Sequence, residues 1–250
     1  MKIHPSCKHL AAALLAALAV FTHSVRASVP GGLPVFTHPL DITNAYMPFQ
    51  PGGMKVFTGV DGESKTAVVD TYLTETRSFS WNGQTVECRI LRETSFAAGK
   101  LLEIADNYFA QSDDGTVYYF GEVVDNYDGP VVADHHGSWL VGGPVRPGDP
   151  AETAVAVNPA VFMPGKPELG DVFKPEDLFP LVDETARVVA TAEKLRFNGL
   201  RFKDVLVLKE TTQLSPAKEK KWYAPGVGVV MAASADELLQ LAASTLVRTP

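Results

Sequence analysis

The sequence predicts a mainly β protein: two related antiparallel β-meanders, forming a curved sheet, half-barrel or sandwich, joined by a long Pro-rich connection. Three observations predict it. The first is an internal repeat. Trp81-Asn82-Gly83 leads after four residues into Cys88-Arg89-Ile90-Leu91-Arg92-Glu93-Thr94, and Phe197-Asn198-Gly199 leads after five into Val205-Leu206-Val207-Leu208-Lys209-Glu210-Thr211. Tyr108-Phe109-Ala110 has its counterpart in Trp222-Tyr223-Ala224. Recurrence of this kind marks a repeated supersecondary unit. The second is a near period-two alternation of apolar residues across much of both copies, the pattern of a sheet with one covered face. The third is the punctuation: Asp61-Gly62, Asn82-Gly83, Gly99-Lys100 and Asp114-Gly115 interrupt the runs at hairpin spacing.

Residues 1–27 read as a secretory signal peptide. Lys2 and Lys8 give a basic start, Leu10 to Phe21 is an apolar stretch, and Val25-Arg26-Ala27 supplies small residues for cleavage. The stretch is short for a bilayer span, which takes about 20 apolar residues. Cys7 precedes it and so is not placed for lipid attachment. The mature chain, 28–250, is expected to be periplasmic or secreted, with no membrane span after processing. The leader takes Lys2, Lys8 and Arg26 and no acid, which leaves 19 of 22 basic residues against 29 acidic ones and a net charge of −10 with histidine neutral. That balance argues against nucleic acid as a partner. Only Cys88 survives processing, so no internal disulfide forms despite an oxidising destination. Its alternation with Val86 and Ile90 makes it a core residue.

The mature chain is read as a single β domain: repeat 1 at 54–124, a connection at 125–185, and repeat 2 at 186–250. A Pro/Gly-rich segment, Val29 to Pro39, should run extended over the surface. Strands follow near Met54 to Thr58, Ala67 to Ser80, Thr85 to Phe96, Leu101 to Gln111 and Thr116 to Val124. Nine of the 18 prolines fall in the connection, which leaves room only for short strands there. Its Trp139, Leu140, Val161, Phe162, Met163, Leu178 and Phe179 require burial, so it is no floppy linker. Repeat 2 should pair Ala186 to Phe197, Phe202 to Gln213, Lys220 to Tyr223 and Val227 to Ala233. Residues 234–246 are ambiguous. Ser234-Ala235-Asp236-Glu237 matches a helix capping box, yet the same residues suit a hairpin and a last strand.

Candidate chemistry is sparse. Asp134-His135-His136-Gly137-Ser138-Trp139 is the densest cluster of functional side chains. His135 and His136 are candidate metal ligands, but zinc signatures are absent and neighbours on a strand point apart. A serine triad from Ser138 lacks its sequence elbow. Asp106 and Glu122 lie on apolar strand faces of a hairpin and could pair for acid/base work or sugar binding. The catalytic candidates are therefore Asp106, Glu122, Asp134 and His135, and the aromatic binding candidates are Tyr108, Tyr118, Phe120 and Trp139. No cofactor is implied. The run from Lys218 to Lys221 reads as a solvated strand start.

Several motifs together resemble an exported bacterial family of unknown function: Asn44-Ala45-Tyr46-Met47-Pro48-Phe49 with Pro51-Gly52, Tyr108-Phe109-Ala110-Gln111 through Tyr119-Phe120-Gly121-Glu122, Gly137-Ser138-Trp139, and Tyr223-Ala224-Pro225-Gly226-Val227-Gly228. The resemblance covers most of the mature chain and implies an architecture with no reaction attached. The tyrosine-alanine-proline-glycine turn is also similar to turns in exported lipid-carrying half-barrel proteins of the LolA/LolB type, an analogy of fold alone. The expected function is an exported binding or carrier protein for an apolar or amphiphilic ligand, without catalysis. The alternatives are a secreted hydrolase or carbohydrate-active enzyme using clustered Asp, Glu and His, and an envelope assembly protein with a protein partner.

Overall fold

A computed structural model describes residues 29–246, so the leader expected at 1–27 lies outside the described residues. Among those residues every regular element is a strand and none is a helix. The first meander comprises β1 (Met54–Asp61), β2 (Ser64–Trp81), β3 (Gln84–Ala97), β4 (Lys100–Gln111) and β5 (Val117–Asp128). The connection carries β6 (Val131–Asp134), β7 (Trp139–Val141), β8 (Ala154–Ala156), β9 (Ala160–Met163) and β10 (Val172–Leu178). The second meander comprises β11 (Val182–Phe197), β12 (Leu200–Thr211), β13 (Lys218–Ala224), β14 (Gly228–Ala233) and β15 (Glu237–Ser244).

All fifteen strands belong to one sheet, in the order β10-β11-β12-β13-β14-β15-β1-β2-β3-β4-β5-β7-β8, with β6 and β9 also paired to β5. Pairing is antiparallel except between β7 and β8. The sheet curls until β9 lies beside β10, giving a nearly closed barrel rather than a sandwich. The repeat is visible in the ladders. β2, β3 and β4 correspond to β11, β12 and β13, and both copies turn at Asn-Gly. Asn82 and Gly83 have φ of 49° and 73°, and Asn198 and Gly199 have 47° and 76°. Positive φ at both turn positions matches the right-handed twist of the flanking strands, and Asn-Gly adopts it at little cost.

The ambiguous 234–246 segment forms strand β15, paired with β14 and β1. The capping chemistry is present but caps a turn: Ser234 Oγ accepts the N–H groups of Asp236 and Glu237. The strand wins because the facing edges of β1 and β14 would otherwise leave their backbone groups unpaired.

The largest core cluster runs from Ile42, Met47 and Phe49 of the N-terminal segment through Tyr72, Phe109 and Tyr119 to Phe173, Val188 and Leu206. The N-terminal segment therefore packs into the molecule as well as along it. Gly52 N–H donates to Tyr72 O, and Gly226 N–H to Ala45 O. A smaller cluster gathers Phe57, Phe202, Val205, Val230 and Leu241. Cys88 is fully buried, as its alternation predicts, and burial holds its thiol well above the usual range. Of the apolar residues in the connection, Trp139, Leu140 and Met163 are buried, but Phe179 stays on the surface in the turn between β10 and β11.

Candidate functional site

Both faces of β5 are covered, and a bulge decides which side chains share each face. Asn107 pairs with Glu122 and Phe109 with Tyr119, so β5 carries one extra residue between them. Gly121 makes this possible. Its φ is +121°, and a Cβ there would meet Trp139 O at 2.1 Å. The bulge restores parity so that Asn107, Phe109, Tyr119 and Glu122 point the same way. Tyr119 O–H donates to Asn107 Oδ1, and the Tyr119 and Phe109 rings stack at 4.7 Å.

That face is the inside of the barrel. In the first repeat Lys55, Asp70, Glu93 and Ala105 form one row across β1 to β4. In the second, Ala186, Glu210 and Glu219 form the matching row across β11 to β13. These rows are far apart along the sheet, yet Glu93 is coupled electrostatically to Lys55 and to Lys221. Glu122 on β5 is coupled to Glu176 on β10, Glu103 on β4 and Glu93 on β3. A closed barrel brings such groups into one space. These carboxylates are half-buried, with protein packed around them.

Electrostatics follow from that enclosure. Burial, reinforced by Asp70 and Glu103, raises Glu93 to about 8. Burial and Glu184 raise Glu176 to about 7. Burial and Glu176 hold Glu122 well above the ordinary carboxylate range. An isolated charge is disfavoured where neighbouring dipoles and water are scarce, so each carboxyl keeps its proton longer. Lys55 is buried 3.0 Å from Asp70 and lies over the rings of Phe57 and Tyr72. Burial alone would lower its pKa, but Tyr72 and Asp70 reverse the sign and keep it charged.

Glu184, Glu210 and Glu219 bring carboxylate oxygens within 4.8 Å of one another, the one such grouping among the described residues able to hold a metal ion. The place between them is taken by Lys221, whose Nζ lies 2.5 Å from Glu210, 3.4 Å from Glu219 and 3.5 Å from Glu184. Burial and Glu184 raise Glu210 to about 8 despite the ammonium, while Lys221 helps to hold Glu184 below its usual value. Lys221 is thus not the solvated residue its charged run suggested. Beside this cluster a cleft of about 430 Å³ opens, lined by Glu176, Glu184 and Glu210 together with Leu181, Val182 and Leu214.

The residues singled out from the sequence fare differently. Asp106 and Glu122 do not meet. Asp106 pairs with Val123 and points away from the interior, where Arg92 holds it at 2.7 and 2.8 Å. Asp134 is exposed at the end of β6, its Oδ1 accepting from His136 N–H and Asn126 Nδ2. His135 Nδ1 lies 2.8 Å from Asp125 Oδ1 and 2.9 Å from Val124 O. Neither His135 nor His136 belongs to the carboxylate grouping. Ser138 Oγ is spent on the Val124 backbone, accepting from its N–H at 2.8 Å.

Tyr108, Tyr118, Phe120 and Trp139 are all buried. Phe36 of the N-terminal segment inserts edge-on against Trp81, Tyr118 and Phe120. Tyr108 packs with Phe79 and Arg77, and Trp139 with Tyr119. These aromatics are core, not an open binding face. Glu93 and Glu210 were missed because each stands between a cation and a threonine, as in Arg92-Glu93-Thr94 and Lys209-Glu210-Thr211, and looks solvated. The available signal was their recurrence at one place in both repeats.

No protein-family model matches the sequence, and no curated protein matches it. Among solved structures, a candidate lipoprotein from Parabacteroides distasonis ATCC 8503 is similar over 81% of this chain and 99% of that chain, at 12% identity and a TM-score of 0.40.

Proposed function

We propose that the protein is an exported, non-catalytic binding or carrier protein that takes an amphiphilic small molecule at the glutamate-lined cleft. The observation that carries this reading is the cleft of about 430 Å³ with Glu176, Glu184 and Glu210 beside Leu181, Val182 and Leu214. That volume suits a small ligand. Its carboxylates favour a cationic or hydrogen-donating head, and its leucines and valine favour a short apolar part. A purely apolar ligand on the aromatic strands has less support, since those faces are filled. The hydrolase alternative loses its proposed pair, because Asp106 and Glu122 lie on opposite faces. The envelope-assembly alternative retains one supporting feature: β8 ends the sheet path, and Val155 and Val157 are exposed there, so an extended partner segment could add to it.

Calorimetric titration of the mature protein with dodecyltrimethylammonium, dodecyl maltoside and dodecyl sulfate, each below its micelle concentration, tests the main reading. The cationic amphiphile should bind most tightly and the anionic one least. Equal binding of all three, or none, would overturn it. Native mass spectrometry of protein purified from its own envelope should show a co-purifying mass of small-amphiphile size.

A further inference from the structure

Six acids line the cleft: Glu176, Asp183, Glu184, Glu210, Glu219 and Glu237. Strand pairing sets four of them against one another. Glu176 on β10 stands directly opposite Glu184 on β11, and Glu210 on β12 directly opposite Glu219 on β13. Like charges in such cross-strand pairs repel. The chain answers most of this charge itself. Lys174 Nζ lies 2.8 Å from Asp183, which also accepts the Gln213 N–H. Lys221 serves Glu184, Glu210 and Glu219 together. Its side chain is a primary alkylammonium already seated in this row, so the row holds that chemical group by its own example.

Two of the six are left over. Among the described residues, no hydrogen bond or ion pair reaches the carboxyl of Glu176 or of Glu237. Lys221 acts on both only at longer range. Lys218, also on the lining, is exposed and pairs with neither. The two acids stand at opposite ends of the cleft in sheet order, Glu176 on β10 and Glu237 on β15, with β11 to β14 between. Five strand steps of ~4.8 Å cap their separation at about 24 Å along the sheet, and the curl shortens the direct path. Over that interval the lining also carries Leu181, Val182, Leu214 and Ala217.

We propose that the cleft takes a linear diamine, one ammonium at Glu176 and the other at Glu237, with the methylene chain over Leu181, Val182, Leu214 and Ala217. This rests on the reading of the cleft as the ligand site, and it gives the ligand a second charged head. An ammonium brings three N–H donors as well as charge, and both carboxyls are free to accept them. Each head also favours the ionised form of the acid it meets. Lys221 stays in place, because the ligand takes the two acids that Lys221 leaves. A single-headed amine satisfies one end and leaves the other acid without a partner. With two anchors on one chain, affinity depends on spacer length and should peak where the spacer matches the separation.

The test is calorimetric titration of the mature protein at pH 8 with diaminobutane, diaminooctane and diaminododecane, amino groups at both ends, each beside the monoamine of equal length. At least one diamine should bind about tenfold more tightly than its monoamine, or better. Glu176→Gln and Glu237→Gln should each bring that diamine down to the level of the monoamine. Glu152→Gln, at an exposed acid away from the cleft, should keep the full advantage. Circular dichroism checks the sheet in every variant. Equal affinity of diamines and monoamines would overturn the inference while leaving the cleft as a site for a single-headed amphiphile. An advantage that survives both cleft variants, or that falls equally in Glu152→Gln, would also overturn it. If no amine binds, the inference falls, and the carrier reading falls with it when dodecyltrimethylammonium fails too.

Discussion

Glu93 and Glu210 hold the same place in the two repeats. Each ends an alternating apolar run after an Asn-Gly turn, each faces the barrel interior, and burial beside another acid lifts each to about 8. Their surroundings then diverge. Two positions before the interior aromatic of the next strand, the second repeat has Lys221 and the first has Asn107. Glu210 therefore has an ammonium at 2.5 Å, while Glu93 lies opposite Asp70, whose charge Lys55 already answers.

Stability should fall as pH rises. Both glutamates are easier to protonate folded than unfolded, so their contribution is complete below about 4.5 and is lost as pH climbs through about 8. Urea midpoints between pH 5 and pH 9 should show this decline. Glu93→Gln should flatten it by about 2 kcal/mol, after allowing for the water that reaches the side chain. A midpoint independent of pH over this range would contradict the assignment.

Gly121→Ala should be among the most damaging single-methyl additions in the chain. The new Cβ meets the Trp139 carbonyl at 2.1 Å, and a φ of +121° is one that alanine avoids. A loss of at least ~3 kcal/mol is expected from the combined clash and strain. It is read as a drop in the thermal or urea midpoint, with Gly83→Ala, whose added Cβ meets open space, as the milder control.

Lys55 and Asp70 should behave as a coupled pair. Lys55→Met leaves a buried carboxylate without its cation, at a cost of about 3–5 kcal/mol. Adding Asp70→Leu should return much of that loss, because both charges are then gone. A double-mutant cycle measures the coupling. Additive losses would show that the 3.0 Å contact contributes little.

Phe36→Ala should uncover the aromatic face without unfolding the barrel. Phe36 is only partly buried but fills the space between Trp81, Tyr118 and Phe120. A cost of about 2 kcal/mol is expected. Binding of a fluorescent hydrophobic dye should rise at the same time.

The parts of this fold that could be read in advance are those set by local chemistry. Asn82-Gly83 and Asn198-Gly199 prescribe their turns almost regardless of context, and the alternation around Cys88 places it inside. The Ser234-to-Glu237 segment fails the same test, since a serine hydroxyl caps a tight turn as readily as a helix and only the free edges of β1 and β14 decide. Asp106 and Glu122 were misjudged by one bulge: simple counting along β5 cannot foresee that Gly121 shifts the parity. The interior acids were hidden for a different reason. A glutamate on a strand is solvent-facing until the sheet closes, and closure requires β15 to pair with β1 from the far end of the chain as well as β9 to lie beside β10.

Lys221 has a consequence of its own. Its ammonium is tethered among three carboxylates by the chain itself, and a tethered group competes at an effective concentration of millimolar or more. Free divalent ions at trace levels would be outcompeted by a resident that never diffuses away. The cluster is in effect self-neutralised, and a visiting cation could enter only by displacing that side chain or by sharing its oxygens. Shortening this one residue would vacate the nest and, with the ammonium gone, push its buried carboxyls further towards the protonated form.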